Sequence, residues 1–189
     1  GDGTLATTLT ATVSSGIATF SGLNINIVGS NKVLRFTGHA SSFTLDTTPA
    51  LTITVAAAAK LFVATQPSAT TASVVAFAVQ PVVQLQDVSG NIVITDSSTL
   101  VTASLEVGSG ALTTTLVATA AAGVVSFSGL TLNLVGTDKV LRFTTSIFTV
   151  DISPAITITV AAPAKVAVRT APAGASATAL FSRQPVVHI

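Results

Sequence analysis

The chain has 189 residues, 49 % of them hydrophobic and only 8 % charged, with a formal net charge of +1 and no cysteine. The few basic residues are scattered, which argues against nucleic-acid binding through phosphates; no run reaches the roughly 20 apolar residues of a membrane span; and disulfides and thiolate metal sites are excluded. Roughly a quarter of residues are charged in an ordinary soluble domain, so this surface is expected to be covered by neighbouring subunits, neighbouring domains or glycans.

The chain repeats itself. Residues 1–37, GDGTLATTLTATVSSGIATFSGLNINIVGSNKVLRFT, return at 108–144 as GSGALTTTLVATAAAGVVSFSGLTLNLVGTDKVLRFT, with about 22 of the 37 positions identical. A second stretch, KLFVATQPSATTASVVAFAVQPVVQ from Lys60, returns more loosely from Lys165 as KVAVRTAPAGASATALFSRQPVVH. The period, about 105 residues, is the size of one small β-sandwich. The expected parts are residues 1–59, the back of one unit; 60–161, a whole unit; and 162–189, the front of a third.

Apolar and polar residues alternate almost throughout, which predicts strands. In the first copy Gly16 is a turn residue before IATFSGL, and Phe20, Leu23, Leu34 and Phe36 are predicted to face inward. TITV at 52–55 is Thr-rich strand, and the Ala run at 56–59 is too short to form a helix alone. Further strands are predicted near 60–66, 76–86, 91–96, 100–107, 111–119, 123–133 and 139–160, the last broken near Ser153-Pro154. The second copies of the inward residues are Phe127, Leu130, Leu141 and Phe143. Short strands at this spacing, with turns every 8–12 residues, fit an all-β, immunoglobulin-like sandwich. The absence of a Cys pair and of Trp excludes a true antibody-type domain.

Several motifs carry a resemblance: the strand ending in Gln66-Pro67; Gln80-Pro81-Val82-Val83-Gln84; Gln86-Asp87-Val88-Ser89-Gly90-Asn91; Gly123 through Phe127-Ser128-Gly129-Leu130; and Phe148-Thr149-Val150. In these the chain resembles the bacterial immunoglobulin-like tandem repeats of large surface adhesins, the invasin and intimin group, and similar repeats of giant extracellular algal and protist proteins. The resemblance covers nearly the whole chain. It implies tandem sandwiches at the cell surface or outside the cell, used as spacers, stalks and fibres, with no enzymatic activity and no cofactor. Arrays of that family are normally cut at domain edges, whereas this chain starts and stops inside a sandwich.

No convergent catalytic set is visible. Glu106 is the only Glu, and His39 and His188 stand at non-matching positions of the repeat, so neither a triad nor a carboxylate pair is indicated. Asp87, Asn91 and Asp96 surround one turn, and oxygen ligands of this kind can hold calcium; the same composition serves a plain hairpin turn, which is the preferred reading. Lys32 with Lys139, and Lys60 with Lys165, are repeat equivalents, read as strand-end charges that discourage sideways sheet pairing rather than as partners in isopeptide crosslinks. No Asn-X-Ser/Thr sequon exists. Thr47, Thr48 and Ser153 sit beside Pro in bends and are the candidate O-glycan sites.

Met is absent and no signal-peptide pattern is present, so the chain is expected to be processed or part of a longer product. Half a sandwich exposes its inner face and unpaired edges, which invites strand addition. The expected partners are therefore copies of this chain, or adjacent repeats of one polypeptide, joined head to tail. The expected function is that of a structural subunit of an extracellular filament or surface appendage, or else of a stalk in an adhesin whose binding tip lies elsewhere.

Overall fold

The computed structural model describes residues 5–6, 10–38, 46–148 and 151–189. His39 and the Thr149-Val150 end of the closing motif lie outside them. The described residues are all-β, with no helix.

Between Lys60 and Thr159 the strands form two facing layers. One is the antiparallel sheet Val124–Ser126, Val82–Gln86, Lys60–Thr65. The other runs Thr70–Ala72, Ile156–Thr159, Gly136–Thr144, Leu100–Val107, Val117–Thr119, with Asp151–Ile152 also paired to Gly136–Thr144. Thr70–Ala72 joins this sheet in parallel, with Thr70 opposite Thr157. Period-two alternation sorts the side chains: Leu61, Val63, Val83 and Leu85 point inward from the first layer, and Val101, Ala103, Leu141, Phe143, Ile156 and Ile158 from the second. Leu112–Thr113 pairs with Thr131–Leu132 and closes one end of this core.

The predicted strands are interrupted where the backbone must turn. The 111–119 and 123–133 predictions each break in two, at Thr114 (φ 81°) and at Gly129 (φ 69°), and the Thr114 hydroxyl bonds the Gly129 carbonyl. The strand predicted at 76–86 begins only at Val82. Before it the chain bends so that the Phe77 N–H reaches the Leu130 carbonyl at 3.1 Å. Residues 91–96 form a turn with a single bridge, Gln86 to Ile92, because the loop at Gly123 occupies the space of a pairing strand. A Cβ on Gly123 would lie 2.6 Å from the Val93 carbonyl oxygen, and the Gly123 N–H bonds the Asp96 carbonyl at 2.7 Å. Thr70–Ala72, a polar stretch with no alternation, was not predicted.

Among the described residues, every buried hydrophobic one lies between Leu61 and Ile158. Before Leu61 and after Ile158 no described residue is buried. This corrects half of the expected core. Phe127, Leu130, Leu141 and Phe143 are fully enclosed, but Phe20, Leu23 and Leu34 are only half-buried and Phe36 is 37 % exposed. No layer equivalent to Lys60–Thr65 and Val82–Gln86 covers these four among the described residues. Lys139 is a second correction. It is no edge charge but is buried, folded across Gly108 and Gly136, with its Nζ donating to the Ser109 carbonyl at 2.5 Å. A positive φ at both glycines (99° and 149°) and the lack of a Cβ make room for its stem.

The difference between the two Phe sets gives a direct test. Truncating Phe143 to Ala should cost about 3–5 kcal/mol, as for a packed core aromatic. The repeat-equivalent Phe36→Ala should cost less than about 1 kcal/mol in the isolated chain. Denaturant unfolding of the two variants measures this; equal losses would show that Phe36 is as enclosed as Phe143.

Candidate functional site

The N-terminal segment is built with the geometry of the central one. Leu5 pairs with Ile25 as Leu112 pairs with Leu132. Gly29 pairs with Ile53 and Lys32 with Leu51, around the same bulge that separates Gly136–Ile158 from Lys139–Ile156. Arg35 and Phe36 meet Thr47 and Asp46 as Arg142 and Phe143 meet Ile152 and Asp151. The Phe20 and Phe36 rings are 5.3 Å apart at 50°; those of Phe127 and Phe143 are 5.4 Å apart at 45°. Both separations lie within the range of favourable aromatic pairs. Only the cover differs. On the N-terminal face the side chains of Leu5, Phe20, Leu23, Leu34 and Phe36, with Arg35 and Thr37, line an open cleft of about 100 Å³.

In the central segment three sets of hydrogen bonds tie residues 63–80 to the rest of the unit. The Val63 N–H donates to Asp151 Oδ2 at 2.7 Å. The Gln80 side chain clasps Leu130: its Oε1 accepts the Leu130 N–H at 3.0 Å, and its Nε2 donates to the carbonyls of Phe77 at 2.9 Å and Leu130 at 3.4 Å. The parallel strand is fixed at both ends, by Thr157 N–H to the Ala69 carbonyl at 2.8 Å and Ser73 N–H to the Thr159 carbonyl at 2.9 Å. Asp46 is prepared in the same way as Asp151. Each carboxylate accepts the N–H of the next residue through Oδ1, at 2.8 Å and 2.9 Å.

The C-terminal segment reproduces the covering strands. Ala167, Val168 and Thr170 pair with His188, Val187 and Val186; Phe62, Val63 and Thr65 pair with Gln84, Val83 and Val82. The same bulge interrupts both ladders. Gln184 Nε2 donates to the Phe181 carbonyl at 3.2 Å, as Gln80 does to that of Phe77. His188 is exposed at the end of its strand.

The other candidates fall into place around this. Asp87 is 2 % exposed, and donors fill its carboxylate: Oδ1 accepts the N–H groups of Ser89 and Asn91 at 2.9 Å each, and Oδ2 accepts Asn91 Nδ2 at 2.9 Å and the Ala56 N–H at 3.4 Å. Asn91 Nδ2 also reaches the Asn26 carbonyl at 2.9 Å. The Asp96 carboxylate accepts the N–H groups of Ser98 and Thr99 and the Thr99 hydroxyl. The side-chain oxygens of Asp87, Asn91 and Asp96, the three residues considered from sequence for calcium, accept donors of their own turns and, at the junction, the N–H groups of Val28 and Ala56. No group of three or more His, Cys, Asp or Glu converges among the described residues. Burial pushes the Asp87 carboxyl up, but the hydrogen bonds from Asn91, Ala56 and Ser89 together outweigh it and hold the group below the ordinary range. The Thr99 hydroxyl, with the Ser98 and Thr99 amides, lowers that of Asp96.

Of the hydroxyl candidates, Ser153 is buried, with its Oγ accepting the Leu141 N–H at 2.9 Å and donating to the Pro154 carbonyl at 2.8 Å. It has no room for a sugar. Thr48 Oγ1 plays the same part, accepting the Leu34 N–H at 3.1 Å. Thr47 is exposed. Sequence reading did not anticipate the Gln80 clasp or the Asp151 acceptor, although both residues recur, Gln80 as Gln184 directly before a proline and Asp151 as Asp46 three residues before one.

No family model and no curated protein sequence matches this chain.

The Asp87 clasp predicts an acid-sensitive junction. Its native pKa is depressed, so its contribution is complete above the unfolded aspartate value of about 3.9 and is lost as pH falls through the lower native value. Replacing Asp87 with Ala should cost roughly 2–3 kcal/mol and flatten that acid limb. Amide exchange at Ala56 and Asn91, followed from neutral to acid pH, should show these protons released together. Continued protection in the variant would remove Asp87 from the junction.

Proposed function

We propose that this chain is a structural subunit of an extracellular filament or cell-surface appendage. It is built from immunoglobulin-like β-sandwiches in series: 60–161 as a complete unit, 1–59 as the back of one, and 162–189 as the front of another. The observation that supports this most directly is the recurrence of one strand register, bulge and Phe pair in two places, with a covering layer on only one of them among the described residues. A face built for a second layer and left without it is an unfinished joint. The exposed strands at 167–188 have the form of the missing layer. Elements that complete one another head to tail form an open series rather than a closed ring when the rotation does not close.

In this reading the role is mechanical. Tension along the series would be borne by ladders of backbone hydrogen bonds and by core burial, and no catalytic step is assigned to any residue. A solvating coat is expected on so uncharged a surface, and Thr47 is the candidate attachment point of an O-linked sugar that the geometry leaves open.

A second reading is a stalk of one long polypeptide, whose ligand-binding tip lies elsewhere. The Asn91 bridge to residues 26 and 28 favours it to the extent that it stiffens a junction between consecutive units.

Electron microscopy of the native material separates the two. A filament subunit predicts uniform fibres with a fixed axial repeat and many copies per fibre; a stalk predicts single strands of one chain's length. Peptide mapping by mass spectrometry should find hexose-type mass on the peptide containing Thr47 and none attributable to Ser153. Modification at Ser153 would contradict its burial.

A further inference from the structure

We propose that the partner of the uncovered N-terminal face is a second copy of this chain, seated through its 165–188 segment in the register that residues 60–84 use in the central part. The proposal rests on the filament reading above and adds to it the identity of the occupant and the contacts that hold it.

The argument is positional. Four buried covering residues of the central part, Leu61, Val63, Phe77 and Val83, have Val166, Val168, Phe181 and Val187 as repeat equivalents, and all four of these are exposed. The copies therefore keep the apolar character of a covering layer while covering none of the described residues of their own chain. The ladder between Ala167–Thr170 and Val186–His188, bulge included, is already formed, so seating does not require the hairpin to be ordered. A preorganised segment loses less entropy on binding.

The acceptor side is prepared too. In the central part Asp151 Oδ2 receives the Val63 N–H at 2.7 Å. Asp46 is its equivalent and holds its own loop by the same Oδ1 bond, so the N–H of Val168 from the second copy is its counterpart donor. Gln184 is the equivalent of Gln80, which places its amide against the backbone of Leu23, the equivalent of Leu130. Phe181 then enters the cleft between Phe20, Leu34 and Phe36. Residues 175–177 run parallel to Thr52–Thr54, as Thr70–Ala72 run beside Thr157–Thr159. The seated segment supplies no equivalent of Leu100–Val107, so the joint is a smaller sandwich than the central one. The two surfaces are different, so the contact is heterologous and repeats from copy to copy.

The chain has no cysteine, which allows a clean crosslinking test on the full chain. Thr52→Cys and Ala175→Cys are made in separate chains, mixed and gently oxidised. Thr70→Cys with Thr157→Cys in one chain is the control, since directly opposed strand partners lie within disulfide reach. The expected result is a two-chain disulfide product only when both single variants are present, a ladder of products from the chain carrying both Thr52→Cys and Ala175→Cys, and an internal bond in the control. Phe181→Ala should weaken end-to-end association at least tenfold, as loss of a central aromatic anchor does, while thermal unfolding of the core stays unchanged because Phe181 is not buried.

The same sample is viewed by electron microscopy. Fibres without the 52–175 product would overturn this seating and leave the filament reading standing. Neither fibres nor product would overturn both. Equal crosslinking of the Ala175→Cys chain to a Thr47→Cys chain would mean contact without register. Protection of the thiol of the Thr52→Cys variant in a monomer would mean that a segment of the same polypeptide covers the face. Either result would also overturn the seating.

Discussion

A β-sheet with one apolar face is stable in water only when a second layer removes that face from solvent. The Phe127–Phe143 pair shows the satisfied case, enclosed between the sheet that carries Leu141 and the covering strands that carry Val63 and Val83. The Phe20–Phe36 pair shows the same rings at nearly the same separation, with Phe36 open to solvent. The shape of each sheet is therefore local, set by its own bulges, turns and hydrogen bonds. What is non-local is the cover, and everything proposed about assembly follows from where the cover is present and where it is not.

The local devices explain why the uncovered face keeps its form. Leu34 and Thr48 exchange two hydrogen bonds, Thr48 N–H to the Leu34 carbonyl and Leu34 N–H to the Thr48 hydroxyl, just as Leu141 and Ser153 do. The turn at Ser15-Gly16 and the bulge at Gly29 hold positive φ, as Ala122-Gly123 and Gly136 do. Such contacts close within the segment and do not require the second layer. They leave an apolar cleft on a preformed scaffold, a surface suited to strand addition. The junction at Asp87 works differently. Its carboxylate and the Asn91 amide join residues of the N-terminal segment to the central part through hydrogen bonds rather than apolar burial, so this contact responds to acid while the core does not.

Lys139 illustrates how packing overrides a surface reading. A lysine near the start of a long strand looks like a solvated edge charge, yet two glycines flank the space its stem occupies, and its ammonium ends on a backbone carbonyl. Neither glycine is adjacent to it in a way that alternation could reveal. Gln80 is a similar case. It falls inside the strand predicted at 76–86, but its amide bonds Leu130, 50 residues away.

By itself, the amino-acid sequence determined that the chain is all-β and that segments about 105 residues apart are built alike, because period-two alternation and an internal repeat are local properties of a string. It also singled out the residues that line the inner face, Leu141 and Phe143 by alternation along one strand and all four of Phe127, Leu130, Leu141 and Phe143 by their recurrence as Phe20, Leu23, Leu34 and Phe36. Only the tertiary structure decided which copies are enclosed. Burial depends on whether a second sheet lies opposite, and the strands that supply it, Lys60–Thr65 and Val82–Gln86, are separated in sequence from the face they cover. The same reason removed Ser153 from the glycan candidates, filled the carboxylates of Asp87 and Asp96 with amide donors, and left Asp46 and Leu23 on an open face: each outcome is set by what approaches the residue through space.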